Sequence, residues 1–196
     1  MRYTAGPMDP QQLSDGEVKD LVRLAQDGDT EAFSHLYNHF FTPVYRYVAF
    51  RLSGDVAEDT VSEIFVKVWE KLHTYKDQQG IPFGAWLFRI ARHSVIDAYR
   101  VARGFEEVSE ALEDPDLLNR ADTKAQRNDV LRIVRHALDQ LPKRYREVLL
   151  LTYVSELPYS EVARVLKMTE GGVRILKLRA LRKLETFLPP DMRFRP

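Results

Sequence analysis

Between Leu157 and Leu184 the chain reads LPYSEVARVLKMTEGGVRILKLRALRKL, two short amphipathic stretches around a tight turn, the second laced with Arg and Lys. Such a pair is a helix-turn-helix, whose second helix enters the DNA major groove. At about 100° per residue, Val173, Leu176, Ala180 and Leu184 share one face and should pack inward. Arg174, Ile175, Leu178, Arg179 and Arg182 gather on the opposite face. Arginine pairs with guanine edges and aliphatic groups touch thymine methyls, so this mixture suits base reading. If a third element covers Ile175 and Leu178, the basic residues are ordinary surface. Lys177 lies toward the inward side and should snorkel, while Lys167 and Lys183 suit phosphate contact. Ser160 is the expected N-cap of the first helix, Glu161–Leu166, and Thr169 of the second. Gly171 and Gly172 fall in the first turn of the second helix, where bare backbone N–H groups can approach a phosphate.

The elements that must carry this motif are helical throughout. Glu17–Asp27 places Val18, Leu21, Val22 and Ala25 at the spacing of a helix packed on a core. Thr30–Leu52 follows, with Thr30 as expected N-cap and Pro43 expected to kink or divide it. Asp55–Leu72 carries Val61, Ile64, Phe65, Val68 and Trp69 on one side, and Phe83–Arg103 is entered through the turn DQQGIP. Trp86 shares a face with Ala85 and Ile90 and reads as core. Leu149–Val154 could pass for a strand, but it continues the helical pattern opened at Pro142, so helix is expected.

The net charge of zero conceals segregation. Residues 1–104 are near neutral (−2), residues 105–122 carry −6 and residues 123–196 carry +8. A basic end behind an acidic connector points to one polyanion-binding module. The expected fold is all-α, with two small helical domains at 15–103 and 125–188 joined by a flexible acidic linker at 104–124. Tails occupy 1–14 and 189–196. No cysteine is present, which excludes disulfides and thiolate metal sites. No apolar run reaches the length of a membrane span, so a cytoplasmic location without membrane insertion is expected. Enzyme chemistry has little support. His35 and His39 are spaced i, i+4, but Leu-Tyr-Asn lies between them, without the glutamate of a zinc-hydrolase helix. No catalytic residues, metal or cofactors are expected.

Two blocks resemble a known family. AEDTVSEIFVKVWEKL (Ala57–Leu72) and PFGAWLFRIARHSVIDAYR (Pro82–Arg100) resemble region 2 of bacterial sigma factors of the extracytoplasmic-function (ECF) group. AFSHLYNHFFTPVYRYV (Ala32–Val48) is similar to the helix that precedes them in that family, and Leu141–Leu184 resembles region 4. The resemblance implies a specificity subunit of RNA polymerase, bound as a monomer. The third helix would dock on the clamp helices of the largest polymerase subunit through Asp59, Ser62, Glu63, Phe65, Val66 and Trp69. Phe65 and Trp69 also suit a core role. The flap of the second-largest subunit would hold region 4. Promoter DNA would be melted and held at its −10 element by Lys76, Gln78, Gln79, Arg89, Arg92, His93 and Arg100. The −35 element would be read by Ser160, Lys167, Gly171, Gly172, Arg174, Ile175, Lys177, Leu178, Arg179, Arg182 and Lys183. An anti-sigma factor is an expected partner.

The linker would thread the polymerase cleft, its carboxylates (Glu106, Glu107, Glu110, Glu113, Asp114 and Asp116 among them) mimicking RNA. Departures from the family pattern concern base choice. His93 stands where asparagine is common, Gly172 replaces a threonine, Ile175 a serine and Lys177 a leucine. Two other classes fit the helix-turn-helix: a free-standing regulator binding duplex DNA unaided, and a sigma-like decoy for an anti-sigma protein.

Overall fold

A computed structural model describes residues 13–52, 54–77, 80–105 and 123–192, whose regular elements are all helical, with no strand among them. The acidic segment 106–122, Gln78 and Gln79 lie outside the described residues.

Helix α1, Asp15–Gln26, starts at a capping box: Ser14 Oγ accepts from Glu17 N–H, and the Glu17 carboxylate accepts from Ser14 N–H at 2.8 Å. Helix α2, Thr30–Ala49, is capped by Asp29, whose carboxylate accepts from the backbone of Glu31 and Ala32. Thr30 is therefore the first helical residue and not the cap: the ionised side chain one position earlier accepts two orphan N–H groups at once. Pro43 lies inside α2 without ending it. Buried Phe40, Val44, Tyr47 and Val48 hold the turns on either side of it against the core, and tertiary burial outweighs one missing backbone bond. Helices α3, Gly54–Lys71, and α4, Phe83–Phe105, complete the N-terminal lobe.

The C-terminal lobe comprises α5 (Thr123–Asp139), α6 (Lys143–Leu149), a π-helical turn at Leu150–Val154, α7 (Tyr159–Leu166) and α8 (Glu170–Glu185). The strand-like run at 149–154 is thus helical, as its periodicity implies. Pro142 caps α6 from just outside it, without a side-chain bond. No helix among the described residues is long and apolar enough to cross a membrane.

The two lobes share one core. Ile64, Leu87 and Phe88 from the first belong to the same apolar cluster as Leu150, Leu151 and Val162 from the second. Helix α7 lies against α4, and the π-turn against α2. The sequence treats the lobes as separate modules; the fold packs them together because α2 and α4 each carry apolar residues on the side facing α6–α7.

Candidate nucleic-acid interface

Helix α7 ends at Lys167, whose φ of 54° turns the chain into the left-handed region and sends it toward α8. Thr169 then caps α8, its Oγ1 accepting from Gly172 N–H at 3.1 Å. Ser160 is not a cap: α7 begins at Tyr159 behind Pro158, and Ser160 is exposed on its first turn. Proline fixes the entry dihedral and removes one orphan donor, so a hydroxyl cap is dispensable there.

Val173 and Ala180 are fully buried, with Leu176 and Leu184 packed beside them. Arg174, Arg179 and Arg182 are exposed, together with Ile175 (55%) and Leu178 (50%). Among the described residues no third element covers the two aliphatics, so the face stands as cations interleaved with apolar groups. Lys167 and Lys183 are exposed at its edges, and Lys183 Nζ lies 5.0 Å from the Phe187 ring centre. Lys177 snorkels as its register implies, and emerges between two tyrosines. Its ammonium is hydrogen-bonded to the Tyr159 hydroxyl and lies 4.9 Å and 5.1 Å from the ring centres of Tyr159 and Tyr153. The Tyr159 hydrogen bond raises its pKa, which keeps it charged.

The residues around the 76–82 turn divide into two sets. Lys76, His93 and Arg100 are exposed; His93 Nδ1 is 2.7 Å from the Arg89 carbonyl, and Arg100 is 3.8 Å from Asp97. Arg89 and Arg92 instead reach the C-terminal lobe. Arg89 donates to the Arg164 carbonyl at 2.7 Å, and Arg92 Nε lies 3.6 Å from Glu147. The turn itself is anchored by Tyr75, buried, which donates to the Ile81 carbonyl at 2.8 Å. Burial, then Asp77 and Glu161, push its phenol up to about 12. Trp86 is half-buried, with its ring centre 5.5 Å from Tyr75 and 5.4 Å from Phe83, which is packing and not a free stacking surface.

Glu147 is the centre of the inter-lobe contact. It is 8% exposed; Oε1 accepts from Tyr47 at 2.7 Å and Oε2 from Arg51 at 2.5 Å. Arg51 also donates to the Tyr47 hydroxyl and sits 4.2 Å from that ring centre. Burial raises the Tyr47 phenol strongly, so it keeps its proton and donates a hydrogen bond throughout the working pH range. A second acid, Glu161 of α7, lies on the backbone of Gly84 in α4: a Cβ there would meet Glu161 Oε2 at 2.3 Å. None of these contacts was legible beforehand. Glu147 sits within the apolar run EVLLLTYV, and an acid on a buried face was the one signal of a partner elsewhere.

Among the described residues Glu161 Oε2 has no hydrogen-bond partner, and burial, with Asp15 nearby, pushes its pKa from 4.5 to about 7. Below pH 4.5 the carboxyl is protonated whether buried or free, and its burial carries no penalty. Between 4.5 and about 7 only the buried state keeps the proton, so stability falls as pH rises and the loss is complete above about 7. Glu161→Gln should remove this dependence and stabilise the folded chain at pH 8 by up to about 3 kcal/mol. Denaturant titrations of both proteins at pH 5 and 8 check it; equal pH dependence in the two would refute it.

On the outer face of α2–α3, Asp59, Ser62 and Glu63 are exposed, as are Val66 (56%) and Trp69 (41%). Glu63 is paired with Lys67 at 2.5 Å. Phe65 is only 5% exposed, its ring 4.5 Å from Tyr37 and 6.4 Å from Phe41. It supports the stripe from beneath, whereas Trp69 leans edge-on against Phe33 at 4.7 Å and keeps one side open. His39 accepts from the Leu13 N–H at 3.5 Å, and burial lowers its pKa. Among the described residues no cluster of three or more potential metal ligands occurs.

Residues 36–105 match the family model for sigma-70 region 2, and residues 131–184 that for sigma-70 region 4. The chain is 33% identical to the ECF RNA polymerase sigma factor BldN of Streptomyces coelicolor over 179 residues, which cover 90% of this chain and 67% of that protein. It is 34% identical to the ECF RNA polymerase sigma factor ShbA of Streptomyces griseus over 175 residues, covering 84% and 91%. The solved structure of CnrH in complex with the cytosolic domain of CnrY superposes with a TM-score of 0.65 at 27% identity, covering 87% of this chain and 96% of that one.

Proposed function

Since the chain belongs to the ECF sigma factors of the sigma-70 family, a family of transcription factors and not of enzymes, we propose that it binds core RNA polymerase and directs promoter-specific initiation. The observation that carries the reading is the exposed face of α8. Arg174, Arg179 and Arg182 alternate there with uncovered Ile175 and Leu178, on a helix-turn-helix attached to a second, region 2-like lobe. Region 4, about 125–188, reads the −35 duplex with this face. Region 2, about 15–103, melts and holds the −10 strand with Lys76, Gln78, Gln79, Arg89, Arg92, His93 and Arg100.

The stripe Asp59, Ser62, Glu63, Val66 and Trp69 docks on the clamp helices, its acids suited to a basic partner and Val66 to an apolar contact. Arg89 and Arg92 are engaged by Arg164 and Glu147 in this structure, so promoter binding requires the lobes to part. CnrH was solved with a protein partner; a regulatory anti-sigma partner that occludes these surfaces completes the proposal. The chain acts in the cytoplasm.

Purified chain added to core polymerase should give promoter-dependent transcripts. Failure to bind core polymerase together with an unaided shift of duplex DNA would instead make it a free-standing regulator. Within that system, Arg174→Ala should cost ~1–3 kcal/mol on the specific −35 duplex and relax preference at one or two base pairs. Equal loss on random duplex would mean that Arg174 contacts only the backbone.

A further inference from the structure

Lys177 is the residue of α8 whose surroundings base reading does not explain. A lysine on a four-carbon stem ordinarily samples many rotamers, and immobilising it on a ligand costs affinity. Here the ammonium is already engaged by two side chains of the fold. The Tyr159 hydroxyl accepts a hydrogen bond from it, and the rings of Tyr159 and Tyr153 flank it at 4.9 Å and 5.1 Å. Among the described residues no carboxylate forms an ion pair with it. Arg174, one turn back on the same flank, lies 5.6 Å from the Tyr159 ring centre. Tyr153 comes from the π-helical turn and is 53% exposed; Tyr159 is the first residue of α7. Three elements therefore converge on one cation, whose three N–H donors are not all taken up by Tyr159 and Tyr153, which leaves donor capacity for solvent or a ligand.

We infer that Tyr159 and Tyr153 are positioning residues that hold the Lys177 ammonium ready for a backbone phosphate of the −35 duplex, beside the base-reading face of Arg174 and Ile175. The ligand is a phosphodiester and not a base edge, because a lysine held from the side acts as a point charge that sets register. The ordering of its stem is then achieved on folding instead of on DNA binding. This inference rests on the reading of α8 as the −35-binding helix.

The test uses the full chain bound to core polymerase and a −35 duplex, with affinity measured across a salt series. Lys177→Leu should flatten the dependence of log K on log salt by about one unit, the loss of one phosphate contact. Tyr159→Phe keeps the ring and the packing; it should weaken binding roughly three- to tenfold, uniformly over base-substituted sites. In the Lys177→Leu background Tyr159→Phe should have no further effect. An unchanged salt slope in Lys177→Leu, or an equal Tyr159→Phe loss in both backgrounds, overturns the inference while leaving −35 reading intact. If the parent complex shows no preference for a −35 duplex over random DNA, the reading of α8 fails, and the inference with it.

Discussion

Glu147→Ala is expected to part the two lobes. The substitution leaves Arg51, whose side chain is 10% exposed, without its counter-charge, and leaves the Tyr47 hydroxyl without its acceptor at 2.7 Å. Breaking a buried pair from one side costs ~3–5 kcal/mol, because the surviving charge stays desolvated. That is a large share of a domain's ordinary stability of about 5–15 kcal/mol. The expected response is separation of the lobes: withdrawing α6 from α2 and α4, against the core they share, lets water reach Arg51 and frees Arg92. Small-angle scattering should show a larger radius of gyration, with helicity by circular dichroism preserved. Glu147→Gln keeps an acceptor for Tyr47 and Arg51 and should fall between the two states. The released Arg89 and Arg92 should then bind single-stranded −10 DNA more readily than in the parent chain. An unchanged radius with an unchanged unfolding midpoint would show that Glu147 does not hold the lobes.

Phe65→Ala separates packing from docking on α3. With 5% exposure and the Tyr37 ring at 4.5 Å, truncation should cost ~3–5 kcal/mol through lost burial and a cavity. For a chain of this size that corresponds to a fall on the order of 10 °C in Tm. Val66, one residue on and 56% exposed, should behave oppositely. Val66→Glu should leave stability within about 0.5 kcal/mol. It should nevertheless weaken core polymerase binding roughly tenfold or more, since it forces an unpaired acid into the proposed contact. Thermal melts and a core-binding titration on both variants decide the matter. A Phe65→Ala chain that melts normally yet fails to bind core would place Phe65 in the interface itself.

Much of this was legible in the chain because helical signals are local. The stripe Val18, Val22, Ala25 and the alternation along α8 follow from a period of about 3.6 residues, and neither needs a distant partner. The exposure of Arg174, Ile175, Leu178, Arg179 and Arg182 on one face follows from the same period. Caps are less local. Ser160 and Thr30 are residue types that favour caps, but Pro158 and Asp29 one or two positions earlier took the role. Propensity ranks residue types without saying which neighbour reaches the free N–H groups.

Residue chemistry and spacing by themselves determined an all-α chain, a basic helix-turn-helix and an acidic-to-apolar stripe on α3. Tertiary structure alone decided which cations are engaged across the lobes. Arg89 and Arg92 look no different in sequence from Arg100, yet two are bonded across the lobes and one faces solvent. It also decided that Glu147 is buried, and that Lys177 is held by tyrosines from two other elements. The physical reason is sequence separation. The Tyr47–Glu147 bond joins residues 100 positions apart, and no local periodicity reports where a folded chain brings its distant charges together.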